Sequence, residues 1–446
     1  MIVAIIANLK NEFARMITAI EIENLKCFSE RQRIEFAPIT LLYGPNNSGK
    51  STAMYALLLF GQWLESFSYS LGPIELTGGE RTLGPSHFAT HNHRNGQPIT
   101  IKVEIYDSES KTQKAIEICV QPGGNDVAAR FNRRFGGDVV KLVHVKFEDS
   151  GCIIGDSWND YDCDLIREEL LGHIRKQRIV GAIRDVPPVG FIPKIPFDVE
   201  RSLWFRGLAA WHWIGHAFED NLIFTNQWLG PEYLDTGVEL LQQKLIESSQ
   251  LLDALSIKFP NGENLTKANL QLCLQELFTG CDRRVRLRPL QGKNICNGEE
   301  PLLSPHEVGV GVTQLLPVVV ACMTRNDSFF MIQEPESHVH PRLQAKIGDL
   351  LIDSTADHLG YGKPNQLMVE SHSEHLIHRL KRRIRQTTKG DAPRNLELRA
   401  DRVAINYFNQ TSGKTKVGRI RLDVNGEFVE PWPDDFFDID FNERFS

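Results

Sequence analysis

No run of about 18 consecutive apolar residues occurs in the 446-residue chain, so no membrane-spanning helix and no membrane partner are expected. The eight cysteines are scattered and form no C-x-x-C pair, which leaves neither zinc-site spacing nor a disulfide framework. Buried or inert thiols in a reducing cytoplasm are the expectation. Positive charge is not in excess either. The formal net charge is −7, which argues against coating nucleic acid by bulk electrostatics but leaves room for a local basic patch. No heptad pattern is sustained, so a long coiled-coil arm is not expected, and neither an internal repeat nor a low-complexity tract is found. The opening MIVAIIANLK lacks a basic leader and a small-residue cleavage site, so a secretory signal is not expected. Met16 begins a more natural first strand, and residues 1–15 read as an N-terminal extension.

What is present is an ordinary globular balance, 41% hydrophobic and 24% charged residues, in a chain long enough for a large core. Residues 17–43 carry β-rich or alternating apolar patterns (MITAIEIENL, RIEFA, ITLLY), and strand texture returns from Ile99 to Gln121. QPGGNDVAARFNRRFGGD reads as turns. Between 155 and 290 the texture is helical: LIREELLGHIRKQRIVGAI, SLWFRGLAAWHWIGHAFEDNLI, GVELLQQKLIESSQLLDALSI and LTKANLQLCLQELFTG each suit a helix, broken by VPPVGFIPKIP and LGPEY. Strand residues reappear at RRVRLRPL, SFFMIQ and QLMVES, helices are expected from Pro341 and Glu374, and the tail reads as a β meander. The expected division is 1–15 extension, 16–150 first lobe, 151–285 mainly helical insertion and 286–446 second lobe.

The chemistry starts at GPNNSGKS, which fits G-x-x-x-x-G-K-[ST] between an apolar strand and a helix. The glycines let backbone N–H groups of Gly44, Pro45–Ser48 and Gly49 turn toward a triphosphate, proline itself contributing none, and the helix opening at Lys50, Ser51 and Thr52 adds partial positive charge. Lys50 is expected to reach the β- and γ-phosphates of ATP and Ser51 to ligate Mg²⁺. Asn46 and Asn47 fill the variable positions of the loop. A second apolar strand, SFFMIQ, ends at Gln333 and Glu334, which places Glu334 to polarise an attacking water. Gln333 stands where an acidic magnesium partner is common, and its neutral amide can orient a metal-bound water only weakly. QLMVESHSEH repeats the arrangement with His372 at the strand's carboxyl end, where an imidazole can sense a γ-phosphate. His338, His340, His375 and His378 lie nearby, but without H-E-x-x-H spacing or a cysteine they read as ordinary histidines. Gly309 and Gly311 precede an apolar helix in HEVGVGVTQLLPVVV.

These motifs in this order resemble the ABC-type ATPase heads of the SMC/RecF/OLD group. The resemblance implies an α/β P-loop NTPase fold, an ABC-ATPase head with a mixed β-sheet core and a helical insertion. It makes Gly44–Ser51 the Walker A loop, Gln333 and Glu334 the end of Walker B with its catalytic glutamate, and His372 the switch histidine. VGVGVTQLLP and the ending GEFVEPWPDDFFD resemble a subgroup of single-domain ATPases from bacterial anti-phage systems. Two departures stand out: the signature has Gly309 and Thr313 in place of a standard LSGGQ, and no lid glutamine follows the P-loop, leaving only Ser86 or His87 as weak candidates.

By the same resemblance such heads pair, as a homodimer or higher homo-oligomer, around ATP and Mg²⁺, each nucleotide lying between one protomer's P-loop and the partner's signature helix. The stretch after His372 is short and shows no nuclease-like acidic constellation, so an effector is expected on a separate chain. Three basic clusters (RLKRRIRQ, RRVRLR, HIRKQR) leave nucleic acid open as a partner, although solvated faces explain each of them as well. The alternatives are a DNA-repair or DNA-binding ATPase of RecF/SMC type and a nucleotide-sensing scaffold with negligible turnover.

Overall fold

Three five-residue runs, ITLLY, FFMIQ and QLMVE, are buried at every position, as central strands of a parallel sheet covered on both faces must be. They belong to a computed structural model in which the described residues are 15–66, 97–107, 112–120, 127–135, 138–148, 151–154, 172, 174, 176–194, 201–217, 219–246, 248–259, 266–279, 281–290, 302–324, 327–356 and 363–432. The strands in chain order are β1 (Arg15–Glu23), β2 (Gln32–Glu35), β3 (Ile39–Tyr43), β4 (Ile99–Asp107), β5 (Thr112–Val120), β6 (Val127–Phe135), β7 (Asp138–Glu148) and β8 (Gly151–Ile154). They continue as β9 (Gln177–Val180), β10 (Val238–Leu245), β11 (Asp282–Pro289), β12 (Phe329–Gln333), β13 (Gln366–Glu370), β14 (Val403–Thr411) and β15 (Lys414–Ile420). The chain forms two compact units, Met1–Ala182 with Thr324–Ser446, and Ile183–Met323.

The first unit holds two sheets. One has the order β15-β14-β3-β13-β12-β9, parallel except for the β14–β15 hairpin. The other is antiparallel, β2-β1-β4-β5-β6-β7-β8. Gln366 ties them together: Ile17 N donates to its Oε1 at 3.0 Å and its Nε2 donates to Ile17 O at 2.7 Å. Such pairing is what a buried amide requires. The helices Pro341–Ser354 and Glu374–Lys389 pack together around Asp349, whose carboxylate accepts from Arg383 Nε and Nη2 at 2.8 Å each and from Arg379 Nη1 at 3.0 Å.

The second unit contains the hairpin β10–β11 and the helices Arg201–Phe205, Leu208–His216, Glu219–Leu229, Ser248–Lys258, Lys267–Thr279 and Val310–Met323. Gln314 stitches its interior, with Arg184 N donating to Oε1 at 3.1 Å and Nε2 donating to Arg184 O at 2.6 Å.

Several stretches differ from the sequence expectation. The segment expected to be turns around 121–138 instead supplies β6 and the start of β7: VAARFNRRF places Val127, Ala129 and Phe131 at a period of two, and the strand pairs in register with β5. VELLQQKL is a strand, not the start of a helix. Val238 and Leu240 are buried on one face, and all eight residues pair with β11. QRIV, inside a stretch expected to be helical, is the outer parallel strand beside β12. The expected helix SLWFRGLAAWHWIGHAFEDNLI breaks at Gly207 (φ 76°), where an added Cβ would lie 2.9 Å from Pro317. In each case tertiary pairing overrides local propensity. Residues 1–14, Ser86 and His87, and the last part of GEFVEPWPDDFFD lie outside the described residues.

Candidate functional site

Strands β3, β12 and β13 run parallel with β13 between the other two, so their carboxyl ends open on one edge of the sheet. Ligands of open α/β sheets bind at such an edge. From β3 the chain turns through Gly44 (φ 142°), Asn47 (φ 61°) and Gly49 (φ 105°) into the helix Lys50–Ser66. A Cβ on Gly44 would sit 2.2 Å from Phe408 O, and one on Gly49 would sit 2.6 Å from Cys27 Sγ, so only glycine fits either place. Pro45, Asn46 and Asn47 are exposed, while Ser48, Gly49 and Lys50 are buried; Ser51 and Thr52 are half-buried.

The Lys50 ammonium donates to Gly44 O at 2.9 Å and Pro45 O at 2.8 Å. Burial lowers it from the ordinary lysine value, while Glu370 and then Glu334 pull it back. Ser51 Oγ donates to Glu370 Oε2 at 2.8 Å and Oε1 at 3.1 Å. Gln333 Nε2 also donates to Glu370 Oε2, at 3.2 Å. Burial raises the Glu370 carboxyl, against the lowering by Ser51, Lys50 and Gln333.

Glu334 follows Gln333 in the left-handed region (φ 42°), its N–H donating to Glu370 O at 2.8 Å. For a residue other than glycine this conformation is strained, and such strain collects at functional sites. Ser337 Oγ donates to Glu334 Oε2 at 2.8 Å. His372 follows β13. Burial and then Lys50 lower its imidazole from the ordinary value, so it is neutral at physiological pH and can offer one N–H donor. Lys50, Glu334, Glu370 and His372 therefore stand within electrostatic reach of one another at one edge.

Glu336 sets the backbone that carries the histidine. Its Oε1 accepts from His372 N at 2.6 Å and Ser371 Oγ at 2.9 Å, while its Oε2 is buried without a partner. Burial raises this carboxyl. A group raised in the folded state contributes stability fully below its unfolded value and loses it as pH rises through the folded one. Glu336→Gln, which keeps an acceptor without the charge, is thus expected to flatten the loss of urea stability that sets in as pH rises above the ordinary carboxylate value of about 4. Glu370 shifts in the same direction, so part of the slope persists. Glu336→Ala strands two buried donors and is expected to cost about 1–3 kcal/mol. An unchanged pH slope in the Gln variant would rule out this role.

Behind the loop, Tyr43 OH donates to Ser373 O at 2.9 Å, and the Tyr43 ring meets Trp432 edge-on at 5.5 Å. The C-terminal tail thus buttresses the residue that precedes Gly44. Gly309 and Gly311 belong to the other compact unit, Gly309 exposed at the head of the helix Val310–Met323 and Gly311 in its first turn. Arg379 and Arg383 pair with Asp349, Lys381 and Arg385 with Glu427, Arg288 with Glu239, and Lys176 with Asp327. These cations of the three basic clusters are engaged within the fold. Sequence reasoning passed over Glu370 and gave Glu336 no role. The signal for Glu370 was the acid closing QLMVE, opposite a strand whose own last residue is a glutamine.

The residues present fit a nucleotide and its metal. Ser48 Oγ is buried without a partner in the loop, and a lysine, a serine hydroxyl and a carboxylate converge beside it. A family model described as an AAA ATPase domain matches residues 16–177, and one described as "AAA domain, putative AbiEii toxin, Type IV TA system" matches 228–378. A third, "Protein of unknown function (DUF3696)", matches 398–443. Among solved structures, an SMC head bound to the C-winged helix domain of ScpA superposes with a TM-score of 0.45 at 13% identity, covering 91% of this chain and 98% of that one. The SMC head domain from Thermotoga maritima gives 0.42 at 11%, covering 91% and 99%. An SMC head with an extended coiled coil, bound to the C-terminal domain of ScpA derived from Pyrococcus furiosus, gives 0.43 at 12%, covering 91% and 96%. No curated protein matches the sequence. One AAA-domain model lies within the first compact unit and the other runs through residues of both; together with the loop Gly44–Ser51 and this strand order they support a P-loop ATPase fold.

Proposed function

We propose that this chain is an ATP-hydrolysing switch whose heads close in pairs around ATP and which regulates a separate effector, a nuclease or toxin, in bacterial anti-phage defence. The observation that carries the catalytic reading is the gathering of Lys50, Ser51, Glu334 and His372 at the carboxyl ends of β3, β12 and β13. On binding, Lys50 exchanges the carbonyls of Gly44 and Pro45 for phosphate oxygens. Glu334, set by its strained backbone and by Ser337, takes a proton from the attacking water. His372, neutral, donates to the γ-phosphate and reports its presence. Mg²⁺, when bound, neutralises charge on the β- and γ-phosphates, with Ser51 and the Gln333–Glu370 pair as the residues to hold it.

Pairing of heads, with Gly309 and Gly311 of one protomer toward the partner's phosphates, rests on the ABC resemblance and on the affinity of helix N-termini for anions. The defence role rests on the subgroup resemblance. The description of the model matched at 228–378 names a toxin–antitoxin system, a related setting. Pairing of Arg379 and Arg383 with Asp349, and of Lys381 with Glu427, weighs against the use of that cluster in the RecF-like DNA-binding alternative. Gln333 favours the other alternative, a scaffold with negligible turnover. Steady-state phosphate release by the wild type is expected to exceed that of Lys50→Ala, and equal background rates would decide for the scaffold.

A further inference from the structure

The acid missing from the end of β12 has a counterpart one strand away. Gln333 and Glu370 are paired positions, the last rung of the parallel β12–β13 ladder. We propose that Glu370 supplies the carboxylate that secures Ser51 and its Mg²⁺, the acid and the amide having exchanged places across that rung. This rests on the ATP·Mg²⁺ reading of the P-loop and gives the metal site its anionic group.

Glu370 is 6% exposed, and a buried carboxylate needs partners. Its hydrogen bonds identify which ones. Ser51 Oγ donates to it at 2.8 and 3.1 Å, whereas Lys50 Nζ stays 3.9 Å away and spends its own hydrogen bonds on Gly44 O and Pro45 O. The carboxylate is thus held to the metal-ligating serine rather than serving mainly as the lysine's counter-ion. When Ser51 gives its only proton to Glu370, the hydroxyl lone pairs remain free to face a cation. Gln333 turns its NH₂ toward the same carboxylate at 3.2 Å, so it fixes the plane of Glu370 while bringing no anionic oxygen of its own. Hard divalent cations select oxygen ligands and anionic charge, and carboxylates that orient a ligand contribute strongly to affinity. Glu370 is therefore a positioning residue for Ser51 and the metal's waters, with Gln333 positioning Glu370 in turn.

The test reads metal dependence rather than turnover. Binding of a fluorescent ATP analogue is measured in EDTA and across a Mg²⁺ titration, and Mn²⁺ electron paramagnetic resonance reports metal held by the protein–ATP complex. Glu370→Gln is expected to keep its affinity in EDTA within a few-fold and to weaken the Mg²⁺ and Mn²⁺ response by about 10- to 100-fold. Gln333→Ala is expected to weaken it less. The transposed variant Gln333→Glu with Glu370→Gln is expected to recover most of the loss. A wild-type metal response in Glu370→Gln, or a larger loss in Gln333→Ala, would overturn the proposal. Should Glu370→Gln also lose binding in EDTA, Glu370→Asp takes its place: an intermediate metal response supports the assignment and a wild-type one sinks it. Failure of the underlying ATP reading would look different, since the wild type would then bind the analogue in neither condition.

Discussion

Lys50→Ala is expected to lose ATP binding by about 10²- to 10³-fold and to reduce phosphate release to background. Truncating one partner of a desolvated charge pair costs about 2–5 kcal/mol, and each 1.4 kcal/mol is tenfold. The lysine is 3% exposed, and its ammonium sits among Gly44, Pro45 and Glu370, so a triphosphate in the loop would meet a positive charge already stripped of water. The fold should survive the change. Burial already lowers the Lys50 pKa, which means that carrying this charge costs stability without a ligand. Removing it therefore relieves one cost while leaving two carbonyl bonds unmade. Calorimetric titration with ATP, paired with a urea melt, separates the two effects. A variant that is well folded yet binds ATP like the wild type would contradict the role given to this loop.

Glu334→Gln should separate turnover from binding. The amide keeps the shape of the side chain and can still accept from Ser337 Oγ, but it cannot take a proton from water. Loss of a general base costs about 10²- to 10⁴-fold in rate, so single-turnover hydrolysis should fall by that factor with nucleotide affinity preserved or raised. Removing a negative charge near the γ-phosphate also relieves repulsion, and that charge acts on both Lys50 and His372. With hydrolysis stalled, the closed state accumulates. Light scattering of this variant is expected to show a larger mass with ATP than without it. An unchanged mass would count against head pairing around nucleotide, unless the pair is already formed without ATP, in which case both masses would exceed that of a single chain. A hydrolysis rate equal to wild type would remove Glu334 from the mechanism altogether.

The parts of the site legible in the sequence are those whose chemistry is local. GPNNSGKS between an apolar strand and a helix specifies a loop because glycine alone fits at Gly44 and Gly49, and the same eight residues carry the lysine and the serine. FFMIQ and QLMVE announce buried parallel strands through their unbroken apolar runs, and the positions of Glu334 and His372 follow from the strand ends. What stayed hidden is non-local. Glu370 closes a strand 37 residues after Gln333 and meets a serine 319 residues earlier, and no window on the chain contains that triangle. Glu336 carried no signal in the sequence, and only its bonds to Ser371 and His372 give it a place in the interior. VELLQQKL and QRIV read as helix because their apolar spacing suits either period, and only pairing with β11 and β12 settles which one is used.

By itself, then, the sequence determined that a loop of the form G-x-x-x-x-G-K-[ST] joins an apolar strand to a helix, that one later strand ends in glutamine and glutamate, and that another ends in acid and histidine. Tertiary structure decided that those two strand ends are neighbours on one rung, so that Gln333 and Glu370 share a hydrogen bond, and on that pairing rests the proposal that Glu370 supplies the carboxylate. The physical reason is that side-chain identity is written locally, whereas hydrogen-bond partners of buried groups are fixed by strand order, and strand order is a property of the whole sheet.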